Sequence, residues 1–250
     1  MTRFDLAFAI AVVLGVTAWL LENVPALVAI TLAFLVLTGL GVALPQFKFF
    51  GPYICRGTQS RKLVALTFDD GPDERSTPAL LELLSEARVA AAFFCIGERV
   101  TANPGLARRI VGDGHLLENH TYSHSKATNF FSVGRLREEL ARTQDAVLQS
   151  AGVAPNLFRP PMGLSNPRVF EAARLLGLKV IGWTARGLDT TICDPERIVT
   201  RILRRLEPSA IILLHDGNVP PERLVATVRL LLDSLRQRGY EVVRLDRILV

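Results

Sequence analysis

Carboxylates and histidines recur in this sequence where apolar runs stop. Leu63-Val64-Ala65-Leu66-Thr67-Phe68 runs directly into Asp69-Asp70-Gly71-Pro72. The apolar part reads as a buried strand, and Gly71-Pro72 ends it. Two carboxylates at a buried strand end lose hydration and repel each other, so a metal ion, an arginine or a shared proton must compensate. Neighbouring side chains on a strand point to opposite faces, yet a chain bent by Gly-Pro can turn both into one site. Downstream, Glu118-Asn119-His120-Thr121-Tyr122-Ser123-His124 carries two histidines four residues apart. That spacing predicts one face of a helical turn and suits a shared metal. Alone it describes capping or surface histidines equally well. With Asp70 it becomes a two-histidine, one-carboxylate set that leaves room for water.

Three further strand ends carry polar groups. Phe158-Arg159-Pro160-Pro161-Met162-Gly163 holds an arginine between an apolar pair and two prolines. Such a guanidinium can keep Asp69 ionised, although the same residues also describe a turn with a surface ion pair. Trp183 is followed by Asp189, which in isolation reads as an ordinary loop carboxylate. Ile211-Ile212-Leu213-Leu214 ends in His215-Asp216-Gly217, placing a histidine where a general acid would be needed. His115 starts its strand rather than ending it and reads as structural. Thr121, Tyr122 and Ser123 read as shaping the histidine loop.

The elements that must position these groups alternate. Strands are expected at Leu63–Phe68, Ala91–Ile96, His115–Glu118, Asn156–Arg159, Leu178–Trp183, Ala210–Leu214 and Tyr240–Leu245. A capping residue followed by proline marks helix starts at Thr77-Pro78, Asn103-Pro104, Asn166-Pro167 and Asp194-Pro195. Ser132 is a further cap, followed by Val133, Leu136, Leu140 and Val147 at helical spacing. Gly177 and Gly239 stand where helices should end. This is the α/β pattern of parallel βα units, and seven or eight of them fit a barrel better than two domains. In such barrels chemistry sits at the strands' C-terminal ends.

Residues 1–46 are different. Leu6–Leu21 and Val24–Leu44 are apolar runs separated by Glu22-Asn23, with Pro25 opening the second. The second is long enough to span a bilayer and the first just short of the usual ~17–25 residues. A transmembrane hairpin, about 6–21 and 24–44, preceding a catalytic domain at 47–250 is the expected organisation. The rival is a signal peptide, since Met1-Thr2-Arg3 resembles a charged leader; the second run would still anchor the chain. Arg3 precedes the hairpin, its turn lacks Lys and Arg, and Lys48, Arg56, Arg61 and Lys62 come after it. The positive-inside rule then favours the cytoplasmic face of a bacterial-type inner membrane for the domain.

The 29 Lys+Arg against 24 Asp+Glu give a formal charge of +5, spread without a dense basic run. With no base-reading motif or aromatic-basic interleaving, nucleic acid is excluded as a partner and anionic lipid is preferred. Cys55, Cys95 and Cys193 show no metal spacing and no even disulfide set, which leans towards a reducing compartment.

Taken in order, Thr67–Pro72, His120–His124, Arg159–Gly163, Trp183–Asp189 and Leu213–Gly217 resemble the five motifs of the polysaccharide deacetylases, the NodB-homology enzymes of carbohydrate esterase family 4. The likeness runs from about Leu63 to Leu245. It implies a distorted barrel of βα units that hydrolyses N-acetyl, or less often N-formyl or O-acetyl, groups on sugars with one divalent metal, commonly Zn2+. Carried over by position, Asp69 would be the general base and Asp70, His120 and His124 the metal ligands. Arg159 would orient Asp69, His215 would be the general acid and Asp189 would tune it. A backbone N–H near Met162 would help stabilise the oxyanion, Leu213 would line an acyl pocket and Trp183 would contact substrate. The sequence departs from the family where Met162 replaces an aromatic residue, where Thr190 follows Asp189 in place of tryptophan, and where Arg186 stands in place of an acid.

The function implied is a metal-dependent hydrolase removing an N-acetyl or N-formyl group from an amino sugar of a polysaccharide or lipid-linked glycan. The expected partners are that glycan or glycolipid and, through the hairpin, membrane lipid. A membrane-anchored glycan- or lipid-binding protein that kept the fold without catalysis is the alternative; a module working mainly through its hairpin is a third.

Overall fold

A computed structural model describes residues 2–249. Helices α1 (Arg3–Leu20) and α2 (Val24–Ala43) form the hairpin, one residue shorter at each C-terminal end than expected. Thr2 and Asp5 make a reciprocal cap at the start of α1, and Asn23 caps α2. Both helices are long and apolar enough to cross a membrane and leave most of their apolar side chains exposed. Their open end is fastened to residues 47–50. Phe4 N–H donates to the Phe49 carbonyl at 3.0 Å, Arg3 Nη1 to the Phe47 carbonyl at 2.8 Å, and the Phe4, Phe8, Phe34, Phe49 and Phe50 rings cluster there, mostly tilted or edge-on.

The rest is one sheet with every strand parallel. Its strands are β1 (Leu63–Asp69), β2 (Ala92–Cys95), β3 (Leu116–Asn119), β4 (Leu157–Phe158), β5 (Lys179–Val180), β6 (Ala185–Arg186), β7 (Ala210–His215) and β8 (Glu241–Val242). The order is β5-β4-β3-β2-β1-β7-β6, with β8 pairing the start of β1. Among the described residues β5 and β6 do not pair. A lead-in segment bridges that opening instead, Ile54 to Ile181 and Arg56 to Ala210. The result is the curled, incompletely closed barrel that the alternating pattern predicts. β6 was not expected; two residues long, it carries no periodic signal.

Helices α3 (Thr77–Ala87), α4 (Gly97–Ala102), α5 (Pro104–Gly112), α6 (Val133–Ala151), α7 (Pro167–Leu175), α8 (Pro195–Leu203) and α9 (Pro221–Gln237) cover the sheet. The proline starts hold for α5, α7 and α8. In α3 the cap lies upstream of Thr77: the Asp73 carboxylate accepts the Arg75 and Ser76 N–H groups. Gly177 and Gly239 adopt φ of 69° and 73°, the left-handed values that suit glycine at a helix end.

Side chains alternate across the sheet as strand geometry requires. Val64, Leu66, Phe68, Phe93, Ile212 and Leu214 face the helices in one core; Leu63, Ala65, Phe94, Leu157 and Ile211 fill the barrel interior. The parity that buries Ala65 and Ile211 inside also turns Thr67, Asp69, Leu213 and His215 inward. The active-site candidates are thus set by the same register that builds the core.

Candidate active site

The two carboxylates ending β1 do turn into one site. Asp69 continues the strand's inward parity, and Asp70 joins it by taking φ of 69°. A left-handed non-glycine residue costs on the order of 1–3 kcal/mol. Thr121, His124, Met162 and Leu188 carry the same strain, at φ of 64°, 48°, 57° and 58°, all on loops at the strands' C-terminal ends. Arg99 holds the Asp70 turn, donating from Nη1 to the Asp70 carbonyl and from Nη2 to Asn218 Oδ1, each at 2.8 Å.

Arg159 answers what compensates Asp69. Its guanidinium is fully buried and donates from Nη1 to Asp69 Oδ1 at 2.6 Å and Thr67 Oγ1 at 2.8 Å, and from Nη2 to the Gly182 carbonyl at 2.9 Å. Its face lies 4.2 Å from the Phe94 ring centroid. Asp69 therefore has one oxygen locked to arginine, and its other oxygen lies 3.9 Å from His120 Nε2.

Asp70 Oδ1 lies 3.3 Å from His120 Nε2 and 3.2 Å from His124 Nε2. These three donor atoms converge as a cation's ligands would. His120 Nδ1 meets the Arg159 carbonyl at 2.7 Å, which fixes the proton there and leaves the Nε2 lone pair free. Burial opposes the charged form of Asp70, but the hydrogen bond and charge of His120, with His124 and His215, hold it well below the usual carboxylate range. Burial, with His120 beside it, lowers His124 and favours the neutral, ligating imidazole. One carboxylate oxygen and two imidazole nitrogens are a donor set that fits a borderline divalent cation.

The expected helical turn at His120–His124 is corrected: the segment is an irregular loop with left-handed Thr121 and His124. Side chains, not helical carbonyls, take its backbone donors. Asn119 Oδ1 accepts Thr121 N–H, and Glu139 accepts Tyr122 N–H, Ser123 N–H and Ser123 Oγ–H. Sequence reading missed Glu139. It sits three residues after Leu136 on the apolar face of α6, where a buried acid signals a structural task.

On the neighbouring strand β7, His215 stands in register with Asp69. Asp189 clamps it twice, accepting the His215 backbone N–H on Oδ2 at 2.8 Å and Nδ1 on Oδ1 at 3.0 Å. Burial works against the charged imidazole, but the Asp189 hydrogen bond and charge, with Asp69 and Asp70 behind them, raise its pKa to about 9. Asp189 is thus no ordinary loop carboxylate. Leu213 is buried on the interior side of β7. Met162 is 49% exposed at the tip of the Pro161–Gly163 turn, free to meet a ligand. Trp183 is buried: its ring lies where a side chain on Gly163 would have to go, so it supports that turn from beneath. His115 accepts the Ala91 N–H on Nδ1 at the far end of the barrel, the structural role its position predicts.

The chain is similar to known proteins in sequence and in fold. A family model described as polysaccharide deacetylase matches residues 56–181. A peptidoglycan-N-acetylglucosamine deacetylase of Bacillus cereus is 34% identical over 192 residues, 76% of this chain and 89% of that protein. A family 4 acetyl xylan esterase from Clostridium thermocellum, solved with a cobalt ion, matches with a TM-score of 0.69 at 32% identity over 74% of this chain and 89% of that one. A family 4 pseudoenzyme from Bacillus anthracis matches with a TM-score of 0.74 at 27% identity over 80% of this chain and 69% of that one.

Proposed function

The chain belongs to the polysaccharide deacetylase family, and from that premise we propose that it hydrolyses an N-acetyl, or N-formyl, group on an amino sugar of a glycan held at a membrane. The observation that carries the chemistry is the placement of Asp69 and His215 on adjacent strands in register, each fixed by a buried partner.

Asp70, His120 and His124 would hold one divalent cation, with Zn2+ suited to the donor set. When bound, that cation polarises the acyl carbonyl and makes water more acidic. Asp69, oriented by its hydrogen bond from Arg159, takes the proton from the attacking water. His215 carries its own proton to the leaving amine while Asp189 holds Nδ1 and stabilises the imidazolium. Met162 borders the substrate, and a backbone N–H of its turn would face the developing oxyanion. Leu213 shapes a small acyl pocket, and Trp183 contributes by fixing the turn rather than through an open ring face.

The membrane enters through the hairpin at residues 1–46, read as the anchor of the 47–250 domain. Its base is tied to the rim of the site: Ser165 N–H donates to the Val42 carbonyl and Gln46 Nε2 to the Trp183 carbonyl at 2.9 Å. A catalytic mouth fastened to the end of an apolar helix favours substrate presented at the bilayer surface. Basic residues at the hairpin's base favour the cytoplasmic leaflet of an inner membrane, where the glycan would be lipid-linked.

The test is acetate or formate release by the full-length protein from soluble N-acetylglucosamine oligomers, cell-wall polymer and lipid-linked amino sugars. Release lost in Asp69→Asn supports the hydrolase, and faster release from the lipid-linked form supports the membrane reading. The likeness to a pseudoenzyme gives the rival, non-catalytic glycan binding, a specific basis. Glycan binding by metal-loaded protein without any release would establish it.

A further inference from the structure

A cavity of about 970 Å³ lies away from the paired carboxylates. It opens between the end of α2 and one face of α8, floored by Gln46 and Trp183. Arg186, Arg197, Arg201, Arg204 and Arg205 line it. Basic residues that look scattered in the sequence are therefore gathered by the fold, with Arg197, Arg201 and Arg204 repeating at helical spacing. The opposite face of α8 is apolar, with Ile198, Val199 and Ile202 buried.

None of these five guanidinium groups makes an ion pair among the described residues; Arg186 rests over the Trp183 ring at 5.5 Å. Of the two acids on the lining, Asp194 is engaged in capping the Glu196 N–H, leaving Glu196 as the remaining carboxylate. Like charges at i,i+4 destabilise a helix. The α8 C-terminal dipole favours Arg201 and Arg204, but it does nothing for Arg186 and Arg197. An anion in the cavity would offset all of them.

The hairpin says where that anion comes from. α2 is 20 residues long, about 30 Å of helix, enough to cross the hydrocarbon layer once. Ala43, Leu44, Pro45 and Gln46, its last residue and the turn beyond it, border the cavity, which on the proposed anchoring of the hairpin puts it at headgroup depth. We propose that this arginine cavity is a seat for the phosphate of an anionic membrane lipid, holding the catalytic domain in a fixed pose against the bilayer. Arginine's planar fork suits phosphate, and basic groups at a membrane surface draw acidic lipid. The seat is independent of the hydrolytic step.

The test is native mass spectrometry of the full-length protein in micelles doped equally with phosphatidylglycerol and phosphatidylcholine. Wild type should retain phosphatidylglycerol roughly tenfold over phosphatidylcholine. Arg197→Gln/Arg201→Gln/Arg204→Gln should retain the two alike. Arg61→Gln/Arg88→Gln/Arg137→Gln, exposed elsewhere, should behave as wild type. Acyl release from a soluble substrate should be unchanged in both triple variants, which separates a lost seat from a lost fold. Equal retention of the two lipids by wild type would overturn the proposal, as would undiminished preference in the cavity variant. Displacement of phosphatidylglycerol by an equal concentration of inorganic phosphate would also overturn it, because the cavity would then recognise free phosphate.

Discussion

At the scale of residues, each side chain given a part in the proposed reaction is held by a buried partner. Arg159 is buried with Asp69, so Arg159→Leu strands a carboxylate without its counter-charge, a loss of about 3–5 kcal/mol in comparable buried pairs. Arg159→Lys keeps the charge but cannot reach Asp69, Thr67 and Gly182 together. It should fold, by circular dichroism, yet lose roughly 100-fold or more in turnover, within the range for a misplaced general base. Asp189 gives a sharper prediction. A histidine whose pKa is raised keeps its proton to higher pH, so activity needing protonated His215 falls only as pH climbs towards about 9. A bound cation offsets the Asp70 contribution, so the falling limb lies at or below that value. In Asp189→Asn it should move down towards the ordinary histidine value of about 6.5. A pH–rate profile checks this, and an unmoved limb would remove Asp189 from its role. Asp69, Asp70, His124, Arg159 and His215 were all legible in the sequence because each ends or follows an apolar strand. Glu139, Arg99 and Thr67 were not: they act through hydrogen bonds to backbone or to other side chains, which leave no spacing in the chain.

At the scale of elements, strands that pair at length were readable, and of the two-residue strands β4, β5 and β8 fall within expected runs while β6 was missed. β1 and β7 are continuous apolar runs covered on both faces, so pattern and structure agree. β4, β5, β6 and β8 exist only because a neighbour supplies their hydrogen bonds. The helical reading of His120–His124 failed for a related reason: Asn119 and Glu139 compete for the backbone donors. The turns that carry chemistry depend on close approach. A Cβ on Gly163 would run into the Trp183 ring, in a residue already at φ of 66°. Gly163→Ala should therefore push the Met162 turn off its support, raising KM more than it lowers kcat and depressing the melting temperature. Steady-state kinetics beside differential scanning calorimetry separate the two effects; an unchanged KM would free Met162 from substrate contact. Asp216 fixes another join, accepting Thr77 Oγ–H at 2.6 Å beneath the His215 loop. Burial pushes its pKa up to about 7, above the value near 3.9 of an unfolded aspartate. The folded state then holds more protons than the unfolded one between those values. Its contribution to stability falls as pH rises from about 4 to 7 and is flat above. Asp216→Asn should flatten that part of a denaturation-versus-pH curve, and an unchanged slope would argue against the buried, protonated acid.

At the scale of the molecule, an apolar hairpin and a parallel barrel meet at the rim of the catalytic mouth. A side chain on Gly41 would have to enter the Phe49 ring, so close packing at that join leaves no room for substitution. Gly41→Leu should loosen the hairpin from the domain, exposing residues 47–62 to protease while leaving the barrel intact. Uncleaved linker in that variant would show that the join is not built on this contact. The orientation has its own check: the cytoplasmic reading predicts that protease added to intact spheroplasts spares the domain and degrades it only after lysis. Degradation before lysis would place the site on the opposite face and turn the substrate reading towards cell-wall polymer.

The proposed mechanism has hydrolysis depend on a cation held by Asp70, His120 and His124 and on a base, Asp69, that is not among the ligands. The decisive measurement is a divalent-cation titration of chelator-treated full-length protein, following bound metal and acyl release in parallel. Turnover should rise in proportion to occupancy and stop at one ion per chain, while Asp69→Asn fills its site to the same level without turnover. Acyl release from metal-free protein, or an Asp69→Asn variant as active as wild type, would contradict it.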